Sequence, residues 1–507
     1  MTKRNETSNS DATVGVVRGP KEYDLVIIGA GAGGLSAASG AAGLGASVAL
    51  VEKREALGGD CLFHGCVPSK AFIEAGRLAW RAKNADAFGI RIPDVQVDFG
   101  AVMAHVHDRV AAIGEHDSAE RFRAMGVDVY FGGGHFESPH EFAVGDVVLK
   151  GRRFAIATGS GPVRLPIPGL DEVDYLTNLN VFDLKEQPGS LVVLGGGPIG
   201  VELGQAFARL GTDVTIIEST EFLLRKDDHE LCPILHEAIR REGITLLLRH
   251  RAERITKHAD GRIQVTCSGP DGEATAAGDA LLVSLGRAAN LDGLGLEAAG
   301  VEYTPRGIGV DRRLRTTQKH IYALGDCSGG YQFTHVAEYE AGIVVPNALF
   351  GIPRKADFSV VPWCTFTDPE MAHVGLTEEE AREQGVRKLE VYRYEFKEAD
   401  RAIIDRRTEG MIKLICSGKK LLGAHLIGES AAEMLHEYVL MMANGRPVTG
   451  ISRAIHVYPT ISQAARRAAN RYYDEHLFKS PVVNWLKRLR RLHGASIYER
   501  QKEADDA

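Results

Sequence analysis

Cysteine is scarce in this chain. Seven in 507 residues, an odd number, are far too few for a secreted disulfide scaffold. Long apolar runs are missing as well: no eighteen apolar residues follow one another, so a membrane-spanning helix is excluded by length. Positive charge is not in excess, since 60 Lys plus Arg face 67 Asp plus Glu and the net charge is −7. That excludes a whole surface given over to nucleic acid and leaves room only for a local basic patch. The polar stretch Met1–Glu22 has no apolar segment of the signal-peptide kind, so a soluble, cytoplasmic protein without a nucleic-acid partner is expected. What is present is ordinary for a globular chain. Hydrophobic residues make up 44% and charged residues 25%, a balance that rules out a mainly disordered or fibrous protein. At roughly 100–200 residues per domain, the length points to three or four domains.

Residues 1–21 lack periodicity and apolar weight and are expected to form a disordered arm. At Tyr23 the character changes. YDLVIIGAGAGGLSAASGAAGLGASVALVEK reads as a buried strand, a glycine turn, a small-residue helix and a second strand ending in Glu52. The same grammar returns at Leu191 in LVVLGGGPIGVELGQAFARLGTDVTIIES, which closes on Glu218. Two βαβ units about 165 residues apart imply an internal duplication. Beyond about Phe358 the glycine grammar is gone, and alternating segments such as LEVYRYEF and GMIKLICSG predict an α+β domain.

Each glycine loop carries a G-x-G-x-x-G fingerprint: Gly29, Gly31 and Gly34 in the first, Gly195, Gly197 and Gly200 in the second. The first glycine permits the tight turn, the second lets the backbone approach a pyrophosphate, and the third lets helix and strand pack closely. The helix N-terminus behind them offers unpaired N–H groups and a positive dipole end. Glu52 and Glu218 end the following strands, where a carboxylate can accept from ribose hydroxyls. Two dinucleotide sites in one chain imply two different dinucleotides, and the natural pair is a flavin and a nicotinamide. A carboxylate at Glu218 repels the 2′-phosphate of NADP, so NADH is favoured; Arg225, seven residues on, is the cation that could counter it.

Between these units lies GGDCLFHGCVPSK, with Cys61 and Cys66 spaced C-x4-C. In a regular helix five residues rise about 7.5 Å, too far for comfortable disulfide geometry. Gly65 and Pro68 supply freedom to distort such a segment. Two inert buried cysteines remain an alternative, whereas a zinc site lacks a second ligand pair at the required spacing, so no resident metal is expected. Cys232, Cys267, Cys327, Cys364 and Cys416 are scattered singly and read as structural.

The cysteine motif, the two fingerprints and HIYALGDCSGG together resemble the pyridine nucleotide–disulfide oxidoreductases, over about residues 22–473. The resemblance implies FAD and NAD(P)H as cofactors, with Cys66 the thiol beside the flavin and Cys61 the interchange thiol that meets the substrate. It makes Lys70 and Glu202 a buried pair next to the flavin and Asp326 the acid at the ribityl chain. Ala157–Thr158–Gly159 and Leu285–Gly286–Arg287 become the crossings between the FAD and NAD domains. It also implies an α/β fold with two Rossmann-like dinucleotide-binding domains and a C-terminal α+β dimerisation domain. The bounds would be 22–155 and 286–356 for FAD, 156–285 for NAD(P)H and 357–475 for dimerisation. A homodimer is expected, because the family completes its substrate cavity across the interface.

One stretch departs from the dithiol-reducing members. Their acid–base His and its Glu partner are replaced by Tyr458 and Gln463 in His456-Val457-Tyr458-Pro459-Thr460-Ile461-Ser462-Gln463. A tyrosine with a pKa near 10 is a poor proton acceptor at neutral pH. His456 survives two residues upstream and reads as a satisfied interface histidine. The substitution turns the expectation from lipoamide or glutathione towards a soft metal ion, as in mercuric reductases. Yet no cysteine follows Cys416, and no N-terminal cysteine pair precedes the fold. A small disulfide as acceptor, a dihydrolipoamide dehydrogenase variant and a redox sensor remain the alternatives.

Past the resemblance, LFKSPVVNWLKRLRRLHG (477–494) places Val482, Trp485, Leu486, Leu489 and Leu492 on one helical stripe, with Lys487, Arg488, Arg490 and Arg491 on the remaining faces. Within the basic tail 476–507 this stripe is expected to dock on the chain's own interface domain. Peripheral contact with an anionic membrane is the second reading.

Overall fold

A computed structural model of the chain describes residues 21–490. The expected arm therefore lies outside the described residues as far as position 20, and Lys21 already opens a short strand, Lys21–Tyr23. The chain divides into two compact units. The described parts of the first are 21–59, 117–159 and 289–355, and those of the second are 60–116, 160–288 and 356–490.

The first unit is built on a five-stranded parallel sheet in the order Ile321–Ala323, Phe154–Ile156, Leu25–Ile28, Val48–Glu52, Val127–Phe131. Leu25–Ile28 and Val48–Glu52 are buried at every position, which is why they read as continuous apolar runs and not as alternation. Helix α1 (Ala32–Gly43) connects them, its alanines and glycines allowing close approach to the sheet.

In the second unit the sequence's repeat is literal. A four-stranded parallel sheet runs Thr245–Leu248, Asp213–Glu218, Ser190–Leu194, Ala280–Val283. The same unit holds helices α2 (Gly59–Phe63, from Asp60 onward) and α3 (Cys66–Lys83), and α4 (Pro198–Leu210) leaves the second glycine loop. This grouping cuts across the bounds expected from the sequence, which kept 60–116 with the first loop. The physical reason is apolar: Phe72 of α3 meets Phe207 of α4 with ring centroids 4.7 Å apart. At Gly76 a Cβ would lie only 3.2 Å from the Ala206 carbonyl oxygen, so the two helices close tightly there.

The C-terminal part of this unit is a five-stranded antiparallel sheet, Pro362–Thr365, Glu370–Gly375, Lys420–Gly428, Met411–Ser417, Leu389–Glu395. The α+β expectation is met here. Met411–Ser417 does not alternate, however; it is buried almost throughout and carries Lys413 inward, where Asp228, Glu230 and Glu378 pair with it.

Tail residues Pro481–Leu489 form helix α5, capped by the Ser480 hydroxyl, which accepts from the Val482 N–H at 3.2 Å. The expected docking of its apolar stripe is not found: no α5 residue is buried. The interface core is packed by Ala464, Ala465, Ala468, Ala469 and Tyr472 of the preceding helix, and α5 contributes no residue to it. Leu492 and Arg491 lie outside the described residues. Among the described residues no helix is long and apolar enough to cross a membrane.

Candidate active site

The first glycine loop is held from three sides. Gly29 has φ +102°, and a Cβ there would lie 2.4 Å from the Ala157 carbonyl oxygen; one on Gly34 would lie 1.9 Å from the Gly29 oxygen. Both positions therefore require glycine. A Cβ on Gly31 would meet nothing closer than 3.9 Å, so the space in front of it is open to a ligand. The second loop repeats this at Gly195, Gly200 and Gly197, the last with no atom within 4 Å. Neither α1 nor α4 has a side-chain cap or an acid in its first turn, so each offers its amide N–H groups and dipole end to an anion. These donors, facing room where a Cβ would go, fit the pyrophosphate of a dinucleotide at both loops.

The two strand-end acids have a duty that the sequence reading missed. Glu52 accepts from the Ala30 N–H at 2.8 Å and, through its other oxygen, from the Arg54 N–H at 2.9 Å. Glu218 accepts from the Gly196 N–H at 2.7 Å. Its second oxygen takes the Thr220 N–H, the Thr220 hydroxyl and the Ser219 hydroxyl at 2.8, 3.0 and 3.1 Å. Each carboxylate thus ties its strand end to its glycine loop before any ribose arrives. Only an acid at that spacing was legible in the sequence, not its backbone partners.

At the crossing, the Thr158 hydroxyl donates to the Asn290 carbonyl at 2.8 Å, while the Asn290 N–H donates back to the Gly159 carbonyl at 3.0 Å. Asp326 lies in the single turn Gly325–Ser328, whose first N–H donates to buried Glu340. Burial pushes the Glu340 carboxyl up to about 7. The second crossing is knit by Gly286, whose carbonyl accepts from the Val163 N–H at 3.0 Å.

The cysteine motif is a broken helix. Cys61 lies in α2, the chain turns through His64 and Gly65, and Cys66 is the first residue of α3. At Gly65 a Cβ would lie 3.0 Å from the Asp60 oxygen and 3.2 Å from Cys61 Cα, so the chain folds back onto the first cysteine. That break removes the helical rise which made C-x4-C unfavourable for pairing. Both cysteines are thiols in this structure, Cys61 half-buried and Cys66 exposed, and the start of an 18-residue helix favours negative charge at Cys66. Cys232, Cys267, Cys327 and Cys416 are buried free thiols. Burial pushes Cys232 and Cys416 up to about 12 and Cys327 to about 11, which keeps them protonated and unreactive.

One turn into α3, Lys70 Nζ lies 2.7 Å from Glu202 Oε2 of α4. The other oxygen of Glu202 accepts from the Phe366 N–H at 2.7 Å, and Lys70 sits 4.6 Å from the centre of the Phe366 ring. The structure thus brings together this pair, read from residues 132 positions apart. A second network was not foreseen. Asp60, directly before Cys61, accepts from Arg287 at 2.8 Å and from the Asn178 amide at 3.3 Å. Arg287 also donates to the carbonyl and hydroxyl of Ser160 at 2.8 Å. The acid in GGDC and the Arg in LGR were both visible in the sequence, but nothing in it joined them.

Tyr458 is exposed, and its hydroxyl is hydrogen-bonded to Asp400, which raises its pKa above the usual tyrosine value. It holds its proton at neutral pH. His456 cannot take over: its Nε2 faces Glu437 at 3.0 Å and its Nδ1 the Ala454 carbonyl at 3.1 Å, so both ring nitrogens are engaged. Among the described residues, no group of three or more His, Cys, Asp or Glu is placed to hold a metal ion.

Known proteins share this architecture. The family model for pyridine nucleotide-disulphide oxidoreductases matches residues 23–341, and that family's dimerisation domain matches 361–469. A mercuric reductase of Bacillus cereus is 35% identical over 470 residues, 92% of this chain and 73% of that protein. A mitochondrial dihydrolipoyl dehydrogenase of Pisum sativum is 34% identical, covering 90% of this chain and 93% of its own. Among solved structures, the HOCl-induced flavoprotein disulfide reductase RclA from Escherichia coli superposes with a TM-score of 0.79 at 30% identity, over 88% of this chain and 99% of RclA. Its Cu(II) complex superposes with a TM-score of 0.80. With its glycine loops, broken-helix cysteine pair and dimerisation domain all in family order, this chain belongs to the pyridine nucleotide–disulphide oxidoreductases, a family of flavin-dependent enzymes.

Proposed function

We propose that this enzyme delivers electrons from NAD(P)H, NADH preferred, to a soft metal ion by way of Cys61 and Cys66. The first glycine loop would hold FAD, which when bound would supply two-electron transfer between a nicotinamide and the Cys61–Cys66 pair. In this reading Gly29, Gly31, Gly34, Glu52, Thr158, Gly159 and Asp326 hold FAD, within 22–155 and 286–356. Gly195, Gly197, Gly200, Glu218 and Gly286 serve NAD(P)H, around 156–285. Lys70 and Glu202 would supply the charged pair that the family resemblance implies for the flavin, and residues 357–475 would form the homodimer interface. The buried thiols Cys232, Cys267, Cys327 and Cys416 suit a reducing, cytoplasmic setting.

The observation that carries the choice of acceptor is at Tyr458. Its hydroxyl is held by Asp400 and stays protonated, and His456 is occupied by Glu437. A dithiol substrate needs a base to remove its proton, whereas an ion ligated by Cys61 and Cys66 needs none. With Hg(II) the balance is NADH plus Hg²⁺ giving NAD⁺, H⁺ and Hg⁰, and with Cu(II) it is NADH plus two Cu²⁺ giving NAD⁺, H⁺ and two Cu⁺. The named relatives suggest Hg(II) and Cu(II) as the ions to try.

The experiment measures NADH and NADPH oxidation with Hg(II) or Cu(II) in excess thiol, beside NAD⁺ reduction by dihydrolipoamide. Metal-dependent turnover should dominate and fall by about a thousandfold in Cys61→Ser or Cys66→Ser. NADH should lead NADPH in kcat/KM by about tenfold, or 1.4 kcal/mol, because the Glu218 carboxylate would repel a 2′-phosphate. Faster dihydrolipoamide turnover would move the assignment to the lipoamide branch, and no turnover with any acceptor would leave a redox sensor.

A further inference from the structure

The tail helix α5 takes no part in the chemistry just described, and none of its residues is buried. Val482, Trp485, Leu486 and Leu489 fall at i, i+3, i+4 and i+7, and Val482, Trp485 and Leu489 are each about 60% exposed. Leu477 and Phe478, just before it, are exposed too. Globular surfaces scatter single apolar side chains; a row on one helical face is a contact surface.

Charge identifies what the row meets. From His476 to Gly494 the sequence has no Asp or Glu, yet it carries Lys487, Arg488, Arg490 and Arg491 besides Lys479, which pairs with Glu475 at 2.8 Å. The whole chain has a net charge of −7, so these cations are segregated here against the general trend. The dimerisation match ends at residue 469, so α5 lies beyond the matched dimerisation domain. We propose that α5 lies flat on an anionic lipid surface, with Val482, Trp485, Leu486 and Leu489 entering the headgroup boundary and Lys487, Arg488 and Arg490 meeting lipid phosphates. Trp485 suits that boundary, since an indole pairs an apolar body with one N–H donor. The enzyme would then be a peripheral membrane protein that works beside a lipid surface, which is independent of the acceptor it reduces.

The test uses the full-length flavoenzyme and sedimentation with vesicles of phosphatidylglycerol and phosphatidylcholine, or of phosphatidylcholine alone. The wild type should pellet with the anionic vesicles at about 0.1 M salt and be released at about 1 M, where charges are screened. Trp485→Glu/Leu489→Glu and Lys487→Glu/Arg488→Glu/Arg490→Glu should each lower the partition at least about tenfold. Because no α5 residue is buried, both variants should keep the wild-type rate of NADH oxidation. A wild type that stays in solution, or an apolar-face variant that binds like wild type, overturns the proposal. So does a change in oligomeric mass in either variant, because that would make the row a contact between copies of the chain.

Discussion

Asp227 is a carboxyl group whose surroundings decide its charge. It is buried beside Asp228, and its Oδ1 accepts the indole N–H of Trp363 at 2.9 Å. Burial outweighs that hydrogen bond, the charge of Asp228 adds to it, and the group is pushed from 3.8 up to about 7. The folded chain therefore keeps a proton that the unfolded chain releases above 3.8. Its stabilising effect is complete below about pH 4 and is lost as pH rises through about 7. Asp227→Asn retains the acceptor for Trp363 and cannot ionise. Its melting temperature should match wild type near pH 4 and exceed it at pH 8, by on the order of 2–4 kcal/mol in stability. A melting-temperature difference that does not change with pH would mean that Asp227 does not titrate in this window. The Asp227 pairing depends on residues 136 positions apart, and nothing in the local pattern announced it.

At the level of elements, the two strand–loop–helix units are the same device built twice, and their glycines separate into two jobs. Gly34 and Gly200 hold the loop shut, since a Cβ would lie within about 2 Å of the backbone oxygen of Gly29 or Gly195. Gly197 keeps space clear and touches nothing. Gly34→Ala should yield protein without bound flavin, read as loss of the visible absorbance after purification. Gly197→Ala should fold with its flavin in place and raise KM for NADH at least about tenfold, because its methyl meets only the ligand. Flavin loss in both, or in neither, would contradict this division of labour. The glycine pattern was legible because each position answers a steric demand from within the same short segment. The helix break at Cys61 and Cys66 was half legible, through Gly65 and Pro68. The Asp60–Arg287–Asn178 network was not legible, because its members converge from three separate stretches and none has a local reason for its identity. The docking of α5 was misjudged for a related reason: periodicity tells which face is apolar, while only the packed core tells which elements build it.

For the molecule as a whole, the open question is what covers the segment around His456. Its side chain turns inward to Glu437, and its neighbours Ile455 and Val457 are 97% and 75% exposed. His456 is half-buried within a stretch, 453–459, whose other residues are all exposed, and bare apolar side chains side by side in such a stretch mark a contact surface. The segment falls within the dimerisation match at 361–469, so a second copy of the chain is the surface expected to lie on it. Ile455→Lys/Val457→Lys should leave the chain's own cores intact, since neither side chain belongs to them. It should convert a dimer into a species of 54.9 kDa by light scattering. If the acceptor site needs the partner's Tyr458 segment, the monomer should keep its flavin while metal-dependent turnover falls by at least about a hundredfold. A wild type that already weighs 54.9 kDa, or a double variant that remains dimeric, would place the family interface elsewhere on this chain.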